Sequence, residues 1–412
     1  MRAQRIFTLA ILAIVTLAFS TPASAARTPT IFVLLDGFRA DYLDRGETPA
    51  LSALSVGGIH AKAMRPSFPS VSLPNHVTLI TGLRPDRHGM VANDFEDPQM
   101  PGMTYGAAGT HARDTTDLDP RWWADAKPIW VSAEQQGVRT AALFYTGSNV
   151  AIQGVTGGAA WSAYPRDLPP NARVDAVLER LDLPAGRRPT FITLYMAEVD
   201  TAGHFGGPDS AQLTAALHLV DAAIARLVDG LRTRGMLANI VVTADHGMAA
   251  TSPERIDYID DHVSAEAVQI SGGPFARVFP AAGRQAEVEG KLLGRHGHFD
   301  CYRKAEIPKR LQYGTHRRVT APIFCVSDVG WMLLSRAQQD SPLAKVKGMH
   351  GWDPAAPDMA ALFIASGPAF KKGVTVPDFD NVDVYPLLAK LIGVRAEAND
   401  GDLAPLRAGL IR

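Results

Sequence analysis

The run Thr30-Ile31-Phe32-Val33-Leu34-Leu35 is followed at once by Asp36 and Gly37. A short apolar run that ends at a polar residue and a glycine is typical of a strand buried on both faces of a parallel sheet. Similar runs predict further parallel strands at residues 140–145, 190–196, 239–243 and 360–364. Because helical patterns lie between these runs, the sequence predicts a doubly wound α/β fold with a mostly parallel sheet.

The clearest helical pattern covers residues 210–234, where leucine, valine and isoleucine recur at alternating steps of four and three. Gly235 follows as a natural end of this helix. A stripe this regular indicates packing against the core rather than a cofactor-binding segment. Residues 382–393 carry a second, shorter amphipathic pattern.

The N-terminus has the pattern of a signal peptide. Arg2 and Arg5 precede an apolar stretch at residues 6–19, and the small residues Ala-Ser-Ala at 23–25 suit cleavage. The apolar stretch is shorter than the roughly 20 residues of a membrane-spanning helix. We therefore expect a signal peptide at 1–25, an exported protein that is periplasmic or secreted, and no stable membrane anchor.

The chain has 412 residues, of which 46% are hydrophobic and 20% charged, with a net charge of −1. Single cores stop growing at about 250–300 residues, so a main domain with an insertion is expected. Residues 250–344 lack a clear period and contain both cysteines, which predicts an inserted subdomain within a catalytic domain at 26–412. In an exported protein, Cys301 and Cys325 are expected to form a disulfide.

No block of like charge points to a polymeric nucleic acid or an anionic membrane.

Three aspartates stand just after predicted strands: Asp36, Asp200 and Asp245. In an open α/β sheet, ligands bind outside the carboxyl ends of the strands, so these three carboxylates are expected to converge. Each one alone could belong to an ordinary turn. Together they predict a cation site at that edge.

Histidines stand at ligand spacing beside these aspartates. His204 follows Asp200 by four residues, His246 is adjacent to Asp245, and His350 stands in a separate motif. Mixed carboxylate and imidazole ligands suit zinc, and two sets of three side chains suit two divalent ions. We interpret His76 and His88 as groups that support the site or the fold.

One hydroxyl stands out in the segment Arg65-Pro-Ser-Phe-Pro-Ser-Val-Ser-Leu-Pro-Asn-His76. Ser72 precedes a helical pattern in which Pro74 fits the first turn. Ser72 could simply cap that helix, or it could be a nucleophile at a helix N-terminus, which favours phosphate. No His-Asp relay is evident beside it, so a metal ion would have to activate the hydroxyl.

These residues resemble the nucleotide pyrophosphatase/phosphodiesterase family of the alkaline phosphatase superfamily. The resemblance covers nearly the whole mature chain, with motifs at residues 65–76, 81–85, 88–93, 128–130, 203–208 and 348–353. It implies an alkaline-phosphatase-like fold, two Zn²⁺ ions, and hydrolysis of nucleotide phosphodiester or phosphoanhydride bonds through a phosphorylated Ser72. The implied substrate is a small molecule, and the oligomeric state stays open.

The resemblance also implies a role for each site residue. One zinc set is Asp200, His204 and His350, and the other is Asp36, Asp245 and His246, which also contacts the Ser72 oxygen. Asn93 matches the family's phosphate-binding asparagine, which acts with the backbone N–H of Leu73. Tyr195 matches a position whose ring stacks on the nucleobase.

The chain departs from the family pattern at two positions. Ser72 replaces the usual threonine, and Leu73 replaces a residue that is often aromatic and forms one wall of the base clamp. A phospholipid headgroup phosphodiesterase and a phosphomonoesterase therefore stay open as alternatives, although no arginine follows Ser72 before Arg84 to bind a monoester's extra charge. His76 stands where a sulfatase maturation motif needs arginine. A zinc-binding protein without turnover would not need Ser72 and Asn93.

Overall fold

The computed structural model describes residues 27–106, 115–157 and 167–411. The predicted signal peptide at 1–25 lies outside the described residues. The strands in chain order are β1 Thr30–Leu35, β2 Gly58–Ala61, β3 Met64–Arg65, β4 Asp94–Glu96, β5 Thr104–Gly106, β6 Thr140–Ala142, β7 Phe191–Met196, β8 Asn239–Thr243, β9 Ala249–Ala250, β10 Ile256–Tyr258, β11 Val268–Ser271, β12 Phe275–Pro280, β13 Gly294–His296, β14 Phe299–Arg303, β15 Ile323–Ser327, β16 Met332–Leu334, β17 Gly348–Met349, β18 Phe363–Ser366, β19 Val374–Val376 and β20 Phe379–Asp380. The helices are α1 Pro49–Val56, α2 Ser72–Thr81, α3 Pro85–His88, α4 Ile129–Gln135, α5 Pro170–Leu181, α6 Glu198–Gly206, α7 Ala211–Thr233, α8 Gln285–Leu292 and α9 Val384–Ile392.

The central sheet has seven strands in the order β19-β2-β18-β8-β1-β7-β6. β1 lies in the middle, pairs in parallel with β7 and β8, and is fully buried along its length. A buried central strand explains why the run at residues 30–35 carries no polar alternation. The predicted doubly wound α/β class with a mostly parallel sheet is confirmed.

One strand prediction is wrong in direction. The run at 360–364 is observed as β18, slightly later in the chain, and β18 is antiparallel to both β8 and β2. A strand buried on both faces has the same apolar pattern whichever way it runs, so composition could not reveal the direction. The predicted strand at 140–145 is also shorter, because β6 ends at Ala142.

Helix α7 has the bounds that its apolar stripe predicts. Ser210 caps it by accepting a hydrogen bond from the Leu213 N–H, and Leu213, Leu217 and Val220 are fully buried. α7 is the one helix in the described ranges that is long and apolar enough to cross a membrane. Its buried stripe packs against the core beside α5 and α6, as a core helix does.

A second, antiparallel sheet has the strand order β11-β12-β15-β14-β13 and a hydrophobic cluster of its own. It falls inside the segment for which the sequence predicts an inserted subdomain, and the bounds 250–344 stay a prediction. Cys301 on β14 lies directly opposite Cys325 on β15, and the two form a disulfide. The predicted disulfide is therefore confirmed.

Replacing both cysteines by alanine should lower the free energy of unfolding by about 3 kcal/mol, because the bridge closes a loop between residues 24 apart. Urea unfolding of the oxidised protein and the double variant measures this difference. Reduced wild type is the matched control, and its midpoint should approach that of the variant. Equal midpoints for the oxidised protein and the variant would contradict the prediction.

The second sheet packs on the loop that leads into α2. The Phe68 ring lies 5.4 Å from the Tyr313 ring and 6.0 Å from the Phe275 ring, centroid to centroid. Tyr313 also donates its hydroxyl hydrogen to the carbonyl of Val91. The loop that precedes Ser72 is therefore anchored on the second sheet through Phe68.

Candidate metal centre

Three strands deliver the three predicted aspartates to one edge of the central sheet. Asp36 follows β1 directly, Asp245 stands two residues after β8, and Asp200 lies in α6, which follows β7. Gly37 allows the close approach, because a Cβ atom there would lie 2.8 Å from the Cα of Asp200 and its φ is +66°. The predicted convergence of the carboxylates is what the structure shows.

Each of these carboxylates has one buried oxygen without a hydrogen-bond partner among the described residues. The unpartnered atoms are Oδ1 of Asp36, Oδ1 of Asp200 and Oδ2 of Asp245. By contrast, Asp245 Oδ1 accepts from the N–H groups of Gly37 and His246, each at 3.1 Å. Buried carboxylate oxygens cost free energy when they are unpaired, so this arrangement is typical of a cation site.

The three predicted histidine ligands share one feature, which is an Nδ1 atom held by a backbone carbonyl. Each Nδ1 lies 2.9 Å from its carbonyl oxygen, in the pairs His204 with Gly348, His246 with Gly247 and His350 with Ser70. A carbonyl can only accept, so Nδ1 carries the hydrogen and Nε2 of the neutral ring keeps a lone pair. That lone pair is what a metal ion requires.

The Nε2 atoms lie next to the unpartnered carboxylate oxygens. Nε2 of His204 is 3.3 Å and Nε2 of His350 is 3.5 Å from Oδ1 of Asp200. Nε2 of His246 is 3.1 Å from Oδ2 of Asp245. Ligand atoms stand about 2 Å from a small ion such as zinc, so two neighbouring ligand atoms lie about 3 Å apart. The observed separations match this spacing.

The electrostatics of the cluster also favour cations. Burial together with the charges of Asp245 and Asp200 raises the pKa of Asp36 to about 6. Burial and the neighbouring His246 lower the pKa of His350 to about 3, so its ring is neutral. A divalent ion would relieve the repulsion among the carboxylates, and the residues present therefore fit such an ion.

The compact groups in the structure differ from the two predicted zinc sets. Asp200 and His350 are grouped with His246, and Asp36 and Asp245 are grouped with His76. The rings of His246 and His350 are stacked with centroids 3.5 Å apart, and Nε2 of His246 also lies 3.1 Å from Oδ2 of Asp245, so His246 contacts both groups. How the ligands divide between two ions stays a prediction.

Ser72 is the first residue of α2, and Val71 precedes it as the N-cap without a side-chain cap. The Ser72 hydroxyl oxygen lies 3.1 Å from Nε2 of His246. The alternative that Ser72 merely caps its helix is therefore not what the structure shows. Its hydroxyl faces the predicted metal ligands instead.

The two predicted phosphate-binding groups contact each other. The Leu73 N–H donates to Oδ1 of Asn93 at 2.9 Å, which fixes the amide so that its NH₂ group is the remaining donor. The Leu73 side chain is buried in the core. A contribution of Leu73 to substrate binding would therefore come from its backbone.

Tyr195 lies at the end of β7, where its hydroxyl donates to Oδ2 of Asp36 at 2.5 Å. Its ring meets the ring of His76 edge-on, with centroids 5.2 Å apart. The expectation that Tyr195 stacks on a nucleobase stays a prediction. Its hydroxyl contact with Asp36 is a feature that the sequence reasoning missed.

An α/β sheet whose carboxyl edge gathers carboxylates and imidazoles around a helix-terminal serine is the architecture of a metal-dependent hydrolase. A family model described as type I phosphodiesterase / nucleotide pyrophosphatase matches residues 30–353, so the chain belongs to this family.

Relatives and solved structures agree with this assignment. The chain is 35% identical to an uncharacterized pyrophosphatase/phosphodiesterase of Schizosaccharomyces pombe, covering 93% of this chain and 80% of the relative. It is 34% identical to ectonucleotide pyrophosphatase/phosphodiesterase family member 3 of Rattus norvegicus, covering 90% of this chain but only 43% of that protein. The structure of human ectonucleotide pyrophosphatase/phosphodiesterase 5 is similar with a TM-score of 0.86 and 29% identity, covering 93% of this chain and 99% of that one. The murine form, solved as an inactive variant in complex with AMP, is 30% identical with the same TM-score and covers 93% of this chain and 100% of that one.

Proposed function

We propose that the chain is an exported phosphodiesterase/nucleotide pyrophosphatase that uses two zinc ions and forms a phosphorylated Ser72. The observation that carries this proposal is the set of unpartnered carboxylate oxygens and carbonyl-fixed histidines around the Ser72 hydroxyl. Two ions bound there would polarise the phosphoryl oxygens, acidify the serine hydroxyl and the attacking water, and stabilise the leaving oxygen.

The chain's own residues define two displacements at phosphorus. The Ser72 hydroxyl gives its proton to solvent water, and its oxygen attacks and forms the new P–O bond while the bond to the leaving alcohol or phosphate breaks. Water then attacks the same phosphorus from the side opposite Ser72, and the serine oxygen leaves and regains a proton. Each displacement inverts phosphorus, so the configuration should be retained overall.

Asn93 is the group that we assign to a non-bridging phosphoryl oxygen. The Leu73 N–H holds Oδ1 of Asn93, so the side-chain NH₂ is available to donate. A donor fixed before the reaction stabilises the charge that develops on this oxygen in the transition state.

We propose a small nucleotide as the substrate class. The support is the name of the matched family and the AMP bound in the murine structure. The buried side chain of Leu73 offers no aromatic wall for a base, which keeps a phospholipid headgroup diester as the second candidate. Export is supported by the N-terminal pattern and by relatives named as venom and ectonucleotide enzymes.

The decisive experiment offers the purified protein a chromogenic phosphodiester and the matching phosphomonoester, with and without a chelator. We expect chelator-sensitive turnover of the diester and little turnover of the monoester. Dinucleotides, nucleoside triphosphates and choline phospholipids then identify the substrate. Metal binding without turnover of any of these compounds would contradict the proposal and favour a zinc-binding protein.

Asn93→Ala should lower kcat by about 10²-fold, which corresponds to about 3 kcal/mol for one lost donor to the transition state. Steady-state kinetics with the chromogenic diester measure this loss, and the metal content should not change. Asn171→Ala removes an exposed asparagine on α5 and is the control. A loss confined to KM would mean that Asn93 binds the substrate and the transition state equally, and would contradict a contact specific to the transition state.

A further inference from the structure

His76 is a buried histidine that touches the carboxylates of the centre. It lies one helical turn after Ser72 on α2, so both side chains face the same way. Its Nε2 atom is 3.0 Å from Oδ2 of Asp245 and 3.3 Å from Oδ2 of Asp36. Neither contact has the geometry of a hydrogen bond, so Nε2 faces the space between the two carboxylates.

The other ring nitrogen distinguishes His76 from the three predicted ligands. Its Nδ1 lies 3.0 Å from the hydroxyl oxygen of Thr146, whereas Nδ1 of each predicted ligand lies at a backbone carbonyl. A hydroxyl can donate as well as accept, so it permits the tautomer in which Nδ1 accepts and Nε2 carries the hydrogen. Two carboxylates facing Nε2 select this tautomer, because they would repel a lone pair.

The backbone after β6 fixes Thr146 in place. Phe144 is buried and adopts a left-handed conformation with φ of +61°, which is uncommon for a residue other than glycine. The next residue, Tyr145, donates its hydroxyl hydrogen to the backbone carbonyl of His76. Two consecutive residues of this loop therefore contact His76: Tyr145 at its backbone carbonyl and Thr146 at its ring.

We propose that His76 is a positioning residue: its Nε2–H, set by Thr146, faces Oδ2 of both Asp36 and Asp245 and attracts them electrostatically, which keeps the two carboxylates at the spacing that their shared cation requires. The inference rests on the proposed function in that a cation binds between these carboxylates. Groups that orient metal-binding carboxylates typically contribute 10- to 100-fold to metal affinity. Tyr195 also helps to position Asp36, because its hydroxyl donates a hydrogen bond to Oδ2 of that residue.

The test measures zinc affinity directly, by competition with a chromogenic chelator, on full-length chains. His76→Leu removes the donor and should weaken one of the two binding steps by roughly 10- to 100-fold. His76→Gln can place an amide N–H close to the position of Nε2 and should recover most of that affinity. A leucine variant that binds both ions like the wild type would overturn the proposal.

Thr146 is tested by a double-mutant cycle. Thr146→Val should weaken zinc binding when His76 is present, but it should have no further effect in His76→Gln, since glutamine has no Nδ1 to set. Thr78→Val is the matched control, because Thr78 lies on α2 like His76, and its hydroxyl contacts Nε2 of His88 on α3 instead of the centre. Equal effects of Thr146→Val in both backgrounds would mean a general structural role and would overturn the inference.

Substitution by Co²⁺ shows whether a variant still forms the folded metal site. It also shows whether His76 is itself a metal ligand or only positions the ligands. Visible absorption of the Co²⁺-loaded His76→Gln protein should keep the bands of the loaded wild type. Altered bands would mean that His76 itself binds the ion, against our proposal. The wild type is measured before the variants. If it fails to bind two ions or to hydrolyse any diester, that result counts against the proposed function rather than against the role of His76.

Discussion

Ser72→Ala should abolish nearly all phosphodiester hydrolysis, lowering kcat by at least about 10³-fold, as expected when a nucleophile is removed. Both ions and the fold should persist, because the Ser72 side chain makes no capping hydrogen bond to α2. Metal analysis and circular dichroism of the variant check these two conditions. Ser72→Thr keeps the hydroxyl and serves as the matched control that retains activity.

The stereochemical course provides a second, independent test of Ser72. Hydrolysis of a chiral thiophosphate diester should retain the configuration at phosphorus, because two displacements each invert it. A phosphorylated peptide containing Ser72 should also appear when the reaction is quenched early. Net inversion would mean that water attacks the substrate directly, and the nucleophile assignment would then be wrong.

His350→Ala should abolish turnover and reduce the bound metal from two ions to one. The reason is that His350 contributes its Nε2 beside Asp200, while Asp36 and Asp245 keep their own contacts. Elemental analysis after dialysis measures the metal per chain. His218→Ala, which changes a histidine paired with Glu47 at the surface, is the control.

The fully active wild type must bind two ions for this prediction to stand. A single ion per active chain would contradict it. Loss of both ions from His350→Ala would show that the two groups are coupled through His246, whose ring is stacked on that of His350. The division of ligands between the sites would then need revision, whereas the ligands themselves would not.

The sequence predicts those parts of the fold that depend on a buried apolar run or a regular stripe. The bounds of β1, β8 and α7 follow from such patterns. The direction of β18 does not follow from its sequence, because parallel and antiparallel strands that are buried on both faces have the same apolar pattern. The sequence predicts the second sheet only as a segment without a clear period, since its strands of three to six residues with irregular burial leave a weak pattern.

For the site, the sequence indicates which residues converge but not which atoms face each other. The position of Asp36, Asp200 and Asp245 after strands was enough to predict a cluster. The spacing of Ser72 and His76 places both on one face of α2, yet the carboxylates that His76 meets come from distant strands. Thr146 could not be predicted, because its position depends on the unusual backbone of Phe144.

The order of the site residues along the chain has a consequence for biosynthesis. Asp36 is made early, but its partner Asp245 comes from β8 much later, and His350 follows after the whole second sheet. A nascent chain therefore cannot complete either predicted ligand set until more than half of it has been translated. Because metal binding is generally coupled to folding, we expect the metal to be acquired as a late step of maturation.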